Sequence, residues 1–142
     1  MTPRIEKTTE LAGSRILVVD DDVNLTRLLR AILRTSGSDV TTCGDSTEAL
    51  TIAASDDFSL IILDLRMPVM DGRTFFRELR SRGIDTPVVI ASAYGARSAQ
   101  AELGAQAAIE KPFDPDRLID TVSRILAASK APITGAPGSK AP

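Results

Sequence analysis

The first candidates for chemistry in this 142-residue sequence follow its short apolar segments. Residues 20–22 are three consecutive aspartates after one such segment, and Asp64 follows another. Ser92 and Lys111 come after two later apolar segments and could donate hydrogen bonds. Carboxylate oxygens, with positions left for water and a phosphate, are typical of a magnesium site. In such a site Asp64 could act as a carboxylate nucleophile, and Ser92 and Lys111 could bind phosphate oxygens.

Each of these residues also has an ordinary structural interpretation. Asp22 could cap the following helix, and Asp64 and Lys111 could be solvated charges at strand ends. A cluster of acids is harder to explain in that way. Two carboxylates about 5 Å apart repel by roughly 3 kcal/mol at an effective dielectric constant near 20. Such a cluster therefore needs a shared cation or bound protons.

The composition excludes several other kinds of site. The chain has no histidine, which excludes Ser-His-Asp and Cys-His catalysis and histidine-based zinc sites. Its single cysteine, Cys43, allows no intramolecular disulfide, and we interpret it as a packing residue. Neither GxxxxGK[ST] nor GxGxxG occurs, so a phosphate would have to be held by metal and side chains. The net charge is −2, and no run of Lys and Arg suggests nucleic-acid binding.

Two hydrophobic periods alternate along the chain and predict five strand–helix units. Such a series indicates an α/β fold with an open five-stranded parallel sheet, flavodoxin-like (βα)5, with strand order 2-1-3-4-5 and helices on both faces. Ligands of these sheets bind at the carboxyl ends of the strands, where the candidate residues would meet. The predicted strands are 15–19, 39–42, 60–63, 87–91 and 107–109, and the predicted helices are 22–36, 45–55, 71–83, 95–103 and 114–128.

The chain is long enough for one domain. We expect that domain to span residues 14–128, after an N-terminal extension at 1–13 and before a disordered Pro/Gly/Ala-rich tail or linker at 129–142. No effector domain is expected after residue 128, although the tail could equally be a linker left by truncation of a larger protein. No apolar segment has the length of a signal peptide or membrane span, so we expect a cytoplasmic protein.

Four motifs closely resemble the receiver domains of two-component response regulators. They are Ile-Leu-Val-Val-Asp-Asp-Asp (16–22), Ile-Leu-Asp-Leu-Arg-Met-Pro-Val-Met-Asp-Gly (62–72), Ala-Ser-Ala (91–93) and Glu-Lys-Pro-Phe (110–113). The resemblance covers roughly residues 14–128. It implies a single-domain signalling protein, not an enzyme acting on other substrates, that accepts a phosphoryl group from a sensor histidine kinase or a histidine phosphotransfer protein.

The resemblance also implies a role for each site residue. Asp64 would be the phosphoacceptor. Magnesium (or manganese) would be held by Asp21, Asp64 and the backbone carbonyl of Arg66, with Asp20 acting through water. The resemblance further implies that phosphorylation switches a surface for a downstream protein target. We expect no nucleic-acid or membrane partner, and a monomer or weak dimer.

The remaining implied roles concern the phosphoryl group and the switch. Ser92 would bind a phosphoryl oxygen, Lys111 would pair with Asp64 or its phosphate, and the Lys111–Pro112 peptide would be cis. The family commonly has Tyr or Phe where this chain has Ala108, so the usual inward-rotating ring is missing. Tyr94 could lie over the phosphoryl site, serve the output surface or be a partly exposed loop ring. The helix at 95–103 has the weakest apolar stripe, which suits a mobile role.

Three alternatives are weighed against this interpretation. A haloacid-dehalogenase-like phosphatase would use Asp20 as nucleophile and Asp22 as general acid, but Asn24 and the lack of a later carboxylate pair disfavour it. A flavodoxin-type cofactor module would need Ser, Thr and Gly donors where this chain has three acids. A pseudo-receiver, which is never phosphorylated and serves only as an interaction surface, is the third alternative.

Overall fold

The computed structural model describes residues 11–130. The predictions for residues 1–10 and 131–142 therefore lie outside the described residues. Leu11, within the predicted N-terminal extension, is fully buried, and its carbonyl accepts a 2.6 Å hydrogen bond from Ser14 Oγ. At the other end the last helix continues two residues beyond the predicted boundary, to Lys130.

Five strands and five helices alternate through the described residues. The alternation is that of the predicted strand–helix units, with boundaries that differ by a few residues. The strands are β1 (Arg15–Val19), β2 (Asp39–Cys43), β3 (Leu60–Leu63), β4 (Val88–Ser92) and β5 (Ala107–Glu110), and the helices are α1 (Val23–Thr35), α2 (Ser46–Ser55), α3 (Gly72–Ser81), α4 (Ala96–Leu103) and α5 (Pro115–Lys130).

All five strands are parallel and lie in the order β2-β1-β3-β4-β5, which confirms the predicted topology. The register places Val19 of β1 beside both Cys43 of β2 and Leu63 of β3. The residues that follow these strands therefore leave the sheet side by side. In this way the sheet order brings together residues that are far apart in the sequence.

Two hydrophobic cores cover the two faces of the sheet, which explains why the central strands are apolar on both sides. Alternate residues of β1 and β3 point into opposite cores. One core lies under α2, α3 and α4, and the other lies under α1 and α5. Among residues 11–130, no helix has both the length and the apolar content required to cross a membrane.

Four helices begin at an aspartate whose carboxylate accepts a hydrogen bond from a first-turn backbone N–H group, including α5, where Asp114 accepts from Asp116 at 3.1 Å. Asp22 accepts from Leu25 at 3.1 Å, and Asp71 accepts from Thr74 at 2.9 Å. Asp45 caps α2 in the same way. By contrast, α4 begins at Gly95 without a side-chain cap and buries only two alanines. Among the described helices α4 thus buries the fewest residues, as its weak apolar stripe suggested.

Gly72, the first residue of α3, lies against the backbone at the end of β3. Its N–H group donates to the carbonyl of Leu65 at 2.8 Å. A Cβ atom at this position would lie 2.7 Å from Leu65 Cα and would also overlap the Asp64 carbonyl. Only glycine allows this approach, so Gly72 helps to determine where Asp64 sits.

We expect Gly72→Ala to lower the free energy of unfolding by about 2 kcal/mol, because the added methyl group forces the backbone apart. Gly44→Ala is the matched control, since its added Cβ would meet only ordinary contacts at 3.5 Å and beyond. We expect that control to change stability by less than about 0.5 kcal/mol. Urea denaturation of both variants measures the difference, and equal midpoints would contradict the steric argument.

Candidate functional site

The candidate site lies at the carboxyl ends of the central strands. Asp20 follows β1, and its N–H group donates to the carbonyl of Cys43 at 3.1 Å. Asp64 follows β3, and its N–H group donates to the carbonyl of Val19 at 2.9 Å. The sheet hydrogen bonding thus continues one residue beyond each strand, which holds both aspartates on rigid backbone.

Three carboxylates meet at this edge. An oxygen atom from each of Asp20, Asp21 and Asp64 lies within 4.8 Å of the others. Asp20 and Asp64 are only 4% and 6% exposed, whereas Asp21 faces solvent. The sequence predicted that these acids would meet in one crevice, and the structure brings them together.

Lys111 joins the cluster from the end of β5. Its Nζ donates to Asp20 Oδ2 at 2.8 Å and to Asp64 Oδ1 at 3.1 Å. The other oxygen of Asp20, Oδ1, accepts a hydrogen bond from the N–H group of Asp22 at 3.0 Å. The Lys111–Pro112 peptide is cis, as the resemblance implied. Lys111 therefore bridges the two nearly buried acids.

The charges of the cluster do not balance. Three carboxylates and one ammonium group leave a formal charge of −2 (3 negative, 1 positive). Burial, followed by the charge of Asp20, raises the pKa of Asp64 even though Lys111 opposes the change. Burial alone would lower the pKa of Lys111, but its hydrogen bonds and charge interactions with Asp20 and Asp64 raise it.

The donor set fits a hard divalent cation. All three acidic side chains offer only oxygen, which magnesium prefers, and neither histidine nor cysteine lies in the cluster. Asp21 forms no hydrogen bond or ion pair with any residue that the structure describes, so its carboxylate is free to bind a ligand. The excess negative charge of the cluster would favour such a cation.

Ser92 and Arg66 flank the cluster. Ser92 is the last residue of β4 and is almost completely buried. The backbone N–H group of Lys111 donates to the Ser92 carbonyl at 3.0 Å, which ties the ends of β4 and β5 together. Arg66 lies two residues after Asp64, and its exposed side chain leaves the crevice. Whether its carbonyl binds a metal stays a prediction.

Sequence reasoning did not foresee the position of the Arg66 side chain. Its guanidinium group lies over the Tyr94 ring, with Cζ 5.6 Å from the ring centroid. This contact connects the loop after β3 with the loop after β4. Tyr94 is exposed, as one of its three interpretations expected, and no pattern in the sequence would have paired these two residues.

Ala108 leaves space where the family commonly has a ring. It is half-buried on β5, where it pairs with Ile90 of β4. A cavity of about 130 Å³ lies beside it, lined also by Arg97, Phe113 and Arg117. The described side chains around Ala108 do not fill this volume.

Two further residues behave as ordinary structural residues. The carboxylate of Asp22 accepts the hydrogen bond that caps α1, which disfavours a role for Asp22 as a general acid. Cys43 is buried, burial raises the pKa of its thiol, and Sγ donates to the Asp45 carbonyl at 3.3 Å. The interpretation of Cys43 as a packing residue is confirmed.

Comparison with known proteins agrees with the geometry. The family model of the response regulator receiver domain matches residues 16–123. The probable transcriptional regulator ycf27 of Cyanophora paradoxa is 36% identical over 126 residues, which cover 87% of this chain and 52% of that protein. The chain therefore spans about half the length of this relative, and the same holds for the CpxR homolog of Haemophilus influenzae and PrrA of Mycobacterium bovis.

Two solved structures show the same fold. The receiver domain of the Francisella response regulator 1452 aligns with a TM-score of 0.78 and 30% identity, covering 83% of this chain and 100% of that one. The receiver domain of the sensor histidine kinase PA1611 from Pseudomonas aeruginosa PAO1 aligns with a TM-score of 0.75 and 29% identity, covering 82% and 99%. That structure has a magnesium ion coordinated in its active-site cleft. With five parallel strands in the order β2-β1-β3-β4-β5, an acidic cluster at their carboxyl ends and a family match over residues 16–123, this chain belongs to the response regulator receiver domains of two-component signalling.

Proposed function

We propose that Asp64 accepts a phosphoryl group with the help of magnesium (or manganese), and that its phosphorylation switches a protein interaction surface. The observation that carries this proposal is the cluster of Asp20, Asp21 and Asp64 joined to Lys111. Receiver domains are signalling domains that bind magnesium at an acidic pocket and interact with histidine kinases. For this chain, the proposal assigns a particular residue to metal binding, to phosphoryl acceptance and to the switch.

The hydrogen bonds distinguish the two buried acids. Both oxygens of Asp20 accept hydrogen bonds, one from Asp22 and one from Lys111. Asp64 accepts one side-chain hydrogen bond, from Lys111 to Oδ1, which leaves Oδ2 available as a nucleophile. This difference favours Asp64 as the phosphoacceptor over Asp20, the nucleophile of the phosphatase alternative.

The residues present would hold the metal as follows. Asp21, Asp64 and the Arg66 carbonyl are the proposed direct ligands, and Asp20 would act through water. When bound, a divalent cation supplies positive charge that offsets both the carboxylates and the phosphoryl oxygens. Lys111 supplies the permanent cation of the site and holds Asp64 in place through its hydrogen bond.

In the proposed reaction, the Asp64 carboxylate attacks phosphorus in line with the leaving group. A bond forms between Asp64 oxygen and phosphorus. The bond from phosphorus to the nitrogen of a phosphohistidine on the donor protein breaks, and its electron pair leaves with the imidazole. Lys111 neutralises part of the negative charge on the phosphoryl group, and Ser92 would donate to one of its oxygens.

The proposed signal follows from the change in charge at Asp64. Phosphorylation places about two negative charges where there had been one. Ser92 would move toward the new group, and its backbone hydrogen bond with Lys111 would carry that movement into β5. We infer that α4, β5 and α5 respond together, with no ring at Ala108 to report the change. The absence of a side-chain cap on α4 and its burial of only two alanines support this inference.

The partners are proposals of the same kind. A sensor histidine kinase or a histidine phosphotransfer protein would supply the phosphoryl group, and a downstream protein would read the switched surface. The expectations of no nucleic-acid or membrane partner, of a monomer or weak dimer, of cytoplasmic location and of the domain boundaries stay predictions. The aligned residues cover only about half of the matched relatives, whose names concern the whole proteins.

Acetyl phosphate with magnesium should label the wild-type chain with one phosphoryl group, and EDTA should prevent it. Asp64→Asn should take up none, because an amide is not a nucleophile for this transfer. Asp22→Asn is the matched control and should be labelled like the wild type, since Asn also caps helices well. Intact-protein mass spectrometry measures the label, and peptide mapping locates it.

A label on Asp20 would contradict the assignment of Asp64 and favour the phosphatase alternative. No label on the wild type under any magnesium concentration would favour the pseudo-receiver.

Without metal, Asp64→Asn should be more stable than the wild type at neutral pH. The pKa of Asp64 is raised by burial and by Asp20, so its ionised form opposes folding. This advantage should shrink as the pH falls through the folded pKa and vanish below the ordinary value of 3.8, where Asp64 is protonated in both states. Thermal denaturation in EDTA across this pH range measures it.

Asp22→Asn again serves as the control and should show no such gain. Adding magnesium should narrow the difference by stabilising the wild type more than the variant. An advantage of Asp64→Asn that persists at low pH would show that it has another cause.

A further inference from the structure

The cavity beside Ala108 lies at one edge of the sheet. Among the described strands β5 pairs only with β4, so no strand covers its outer edge. Two small residues in succession, Ala107 and Ala108, are half-buried there. The cavity of about 130 Å³ is lined by Arg97, Ala108, Ile109, Glu110, Phe113 and Arg117. Residues of α4, of β5 and of the start of α5 therefore meet around one small volume.

The size and lining of the cavity limit what it can hold. An apolar cavity of about 150 Å³ holds a benzene ring, so a volume of about 130 Å³ is close to the space that one six-membered ring needs. Ala108 and the half-buried ring of Phe113 contribute apolar lining for such a ring. The rest of the lining is mostly polar, which indicates a ligand with one small apolar part and one polar group.

The polar lining is mainly cationic. Arg97 and Arg117 are exposed, and neither forms a hydrogen bond or ion pair with a residue that the structure describes. By contrast, Arg73 and Arg77 both bind Glu102, at 3.1 and 2.9 Å. The two guanidinium groups at the cavity are therefore free to bind an anion, and a guanidinium group binds a carboxylate through strong, charge-assisted hydrogen bonds.

The surroundings of the two arginines also favour an anion. Glu110 is the one acidic residue in the lining, so two positive charges and one negative charge leave a formal charge of +1. Arg97 is the second residue of α4, and Arg117 is the third residue of α5. Both thus lie in the first turn of a helix, where the helix dipole adds partial positive charge.

We infer that this cavity binds a small aromatic carboxylate. The ring would lie against Ala108 and Phe113, and the carboxylate would face Arg97 and Arg117. The inference goes beyond the proposed function, because none of these residues belongs to the acidic cluster. A bound ligand would contact α4, β5 and the start of α5 at once, and β5 leads to Lys111.

The test uses benzoate as the probe. Titration into the wild-type chain, followed by two-dimensional NMR of the backbone amides, should show saturable shifts centred on Ala108 and on the first turns of α4 and α5. We expect a dissociation constant of roughly 1 mM, which is reasonable for a ligand of this size. Acetate and inorganic phosphate supply charge without a ring, and benzyl alcohol supplies a ring without charge. Each of these three should bind at least about fivefold more weakly than benzoate, since it makes only part of the contacts.

Variants of the lining test the position of the ligand. Ala108→Phe should abolish benzoate binding, because its own ring fills the cavity, and Ala108→Leu serves the same purpose should the larger residue prevent folding. Arg97→Gln and Arg117→Gln should each weaken binding by roughly fivefold through loss of a charge-assisted hydrogen bond. Arg30→Gln is the matched control: Arg30 is also exposed but lies on α1, away from the cavity, and this variant should bind like the wild type.

Thermal denaturation gives a second measurement. Saturating benzoate should raise the thermal midpoint of the wild type and of Arg30→Gln, because a ligand that binds only the folded chain stabilises it. It should leave the midpoint of Ala108→Phe unchanged.

Unchanged benzoate binding in Ala108→Phe, or in both cavity arginine variants, would overturn the inference. So would the absence of saturable binding to the wild type, or acetate or phosphate binding as tightly as benzoate, since a simple attraction of anions would then suffice. Asp64→Asn should bind benzoate like the wild type. Failure of the phosphorylation experiment would therefore leave this inference standing, and failure of benzoate binding would leave the proposed function standing.

Discussion

The ammonium group of Lys111, placed between the carboxylates of Asp20 and Asp64, is the interaction on which the rest of the site depends. Two nearly buried acids next to each other would repel strongly, and Lys111 bonds to one oxygen of each. It neutralises only part of the charge, because Asp21 adds a third carboxylate. Burial, followed by the charge of Asp20, raises the pKa of Asp64 even though Lys111 lies beside it. The excess negative charge favours binding of a divalent cation, whose positive charge would in turn offset that of a phosphoryl group.

Rigid and exposed parts of the domain meet at the carboxyl ends of the strands. The aspartates sit on backbone that continues the hydrogen bonding of β1 and β3, and Gly72 packs against the end of β3. The loops beyond them carry side chains such as Val69 that pack on nothing within the described residues. This division suits a site that holds its reactive group firmly while leaving its rim open to other molecules.

The side of the domain near α4 is built differently. The helix is short, begins without a side-chain cap and contributes only Ala96 and Ala99 to the buried core. Beside it, Ala108 leaves a cavity of about 130 Å³. A helix with few buried side chains moves at a lower free-energy cost, and α4 lies next to β5, the strand that leads to Lys111.

Hydrophobic periodicity in the sequence indicated five strand–helix units and a parallel sheet with a core on each face. The strand order, and with it the meeting of the acids with Lys111, was expected from the usual arrangement of such sheets and from the four motifs, because periodicity alone does not order the strands. Only the tertiary structure showed that Lys111 forms hydrogen bonds with both Asp20 and Asp64. It also showed that the Asp22 carboxylate caps α1. The stacking of Arg66 on Tyr94 also needed the structure, since two loops meet there that no periodicity relates. The sequence predicted which residues share an edge of the sheet, but the distance between two side chains depends on how the whole sheet twists and how each loop packs.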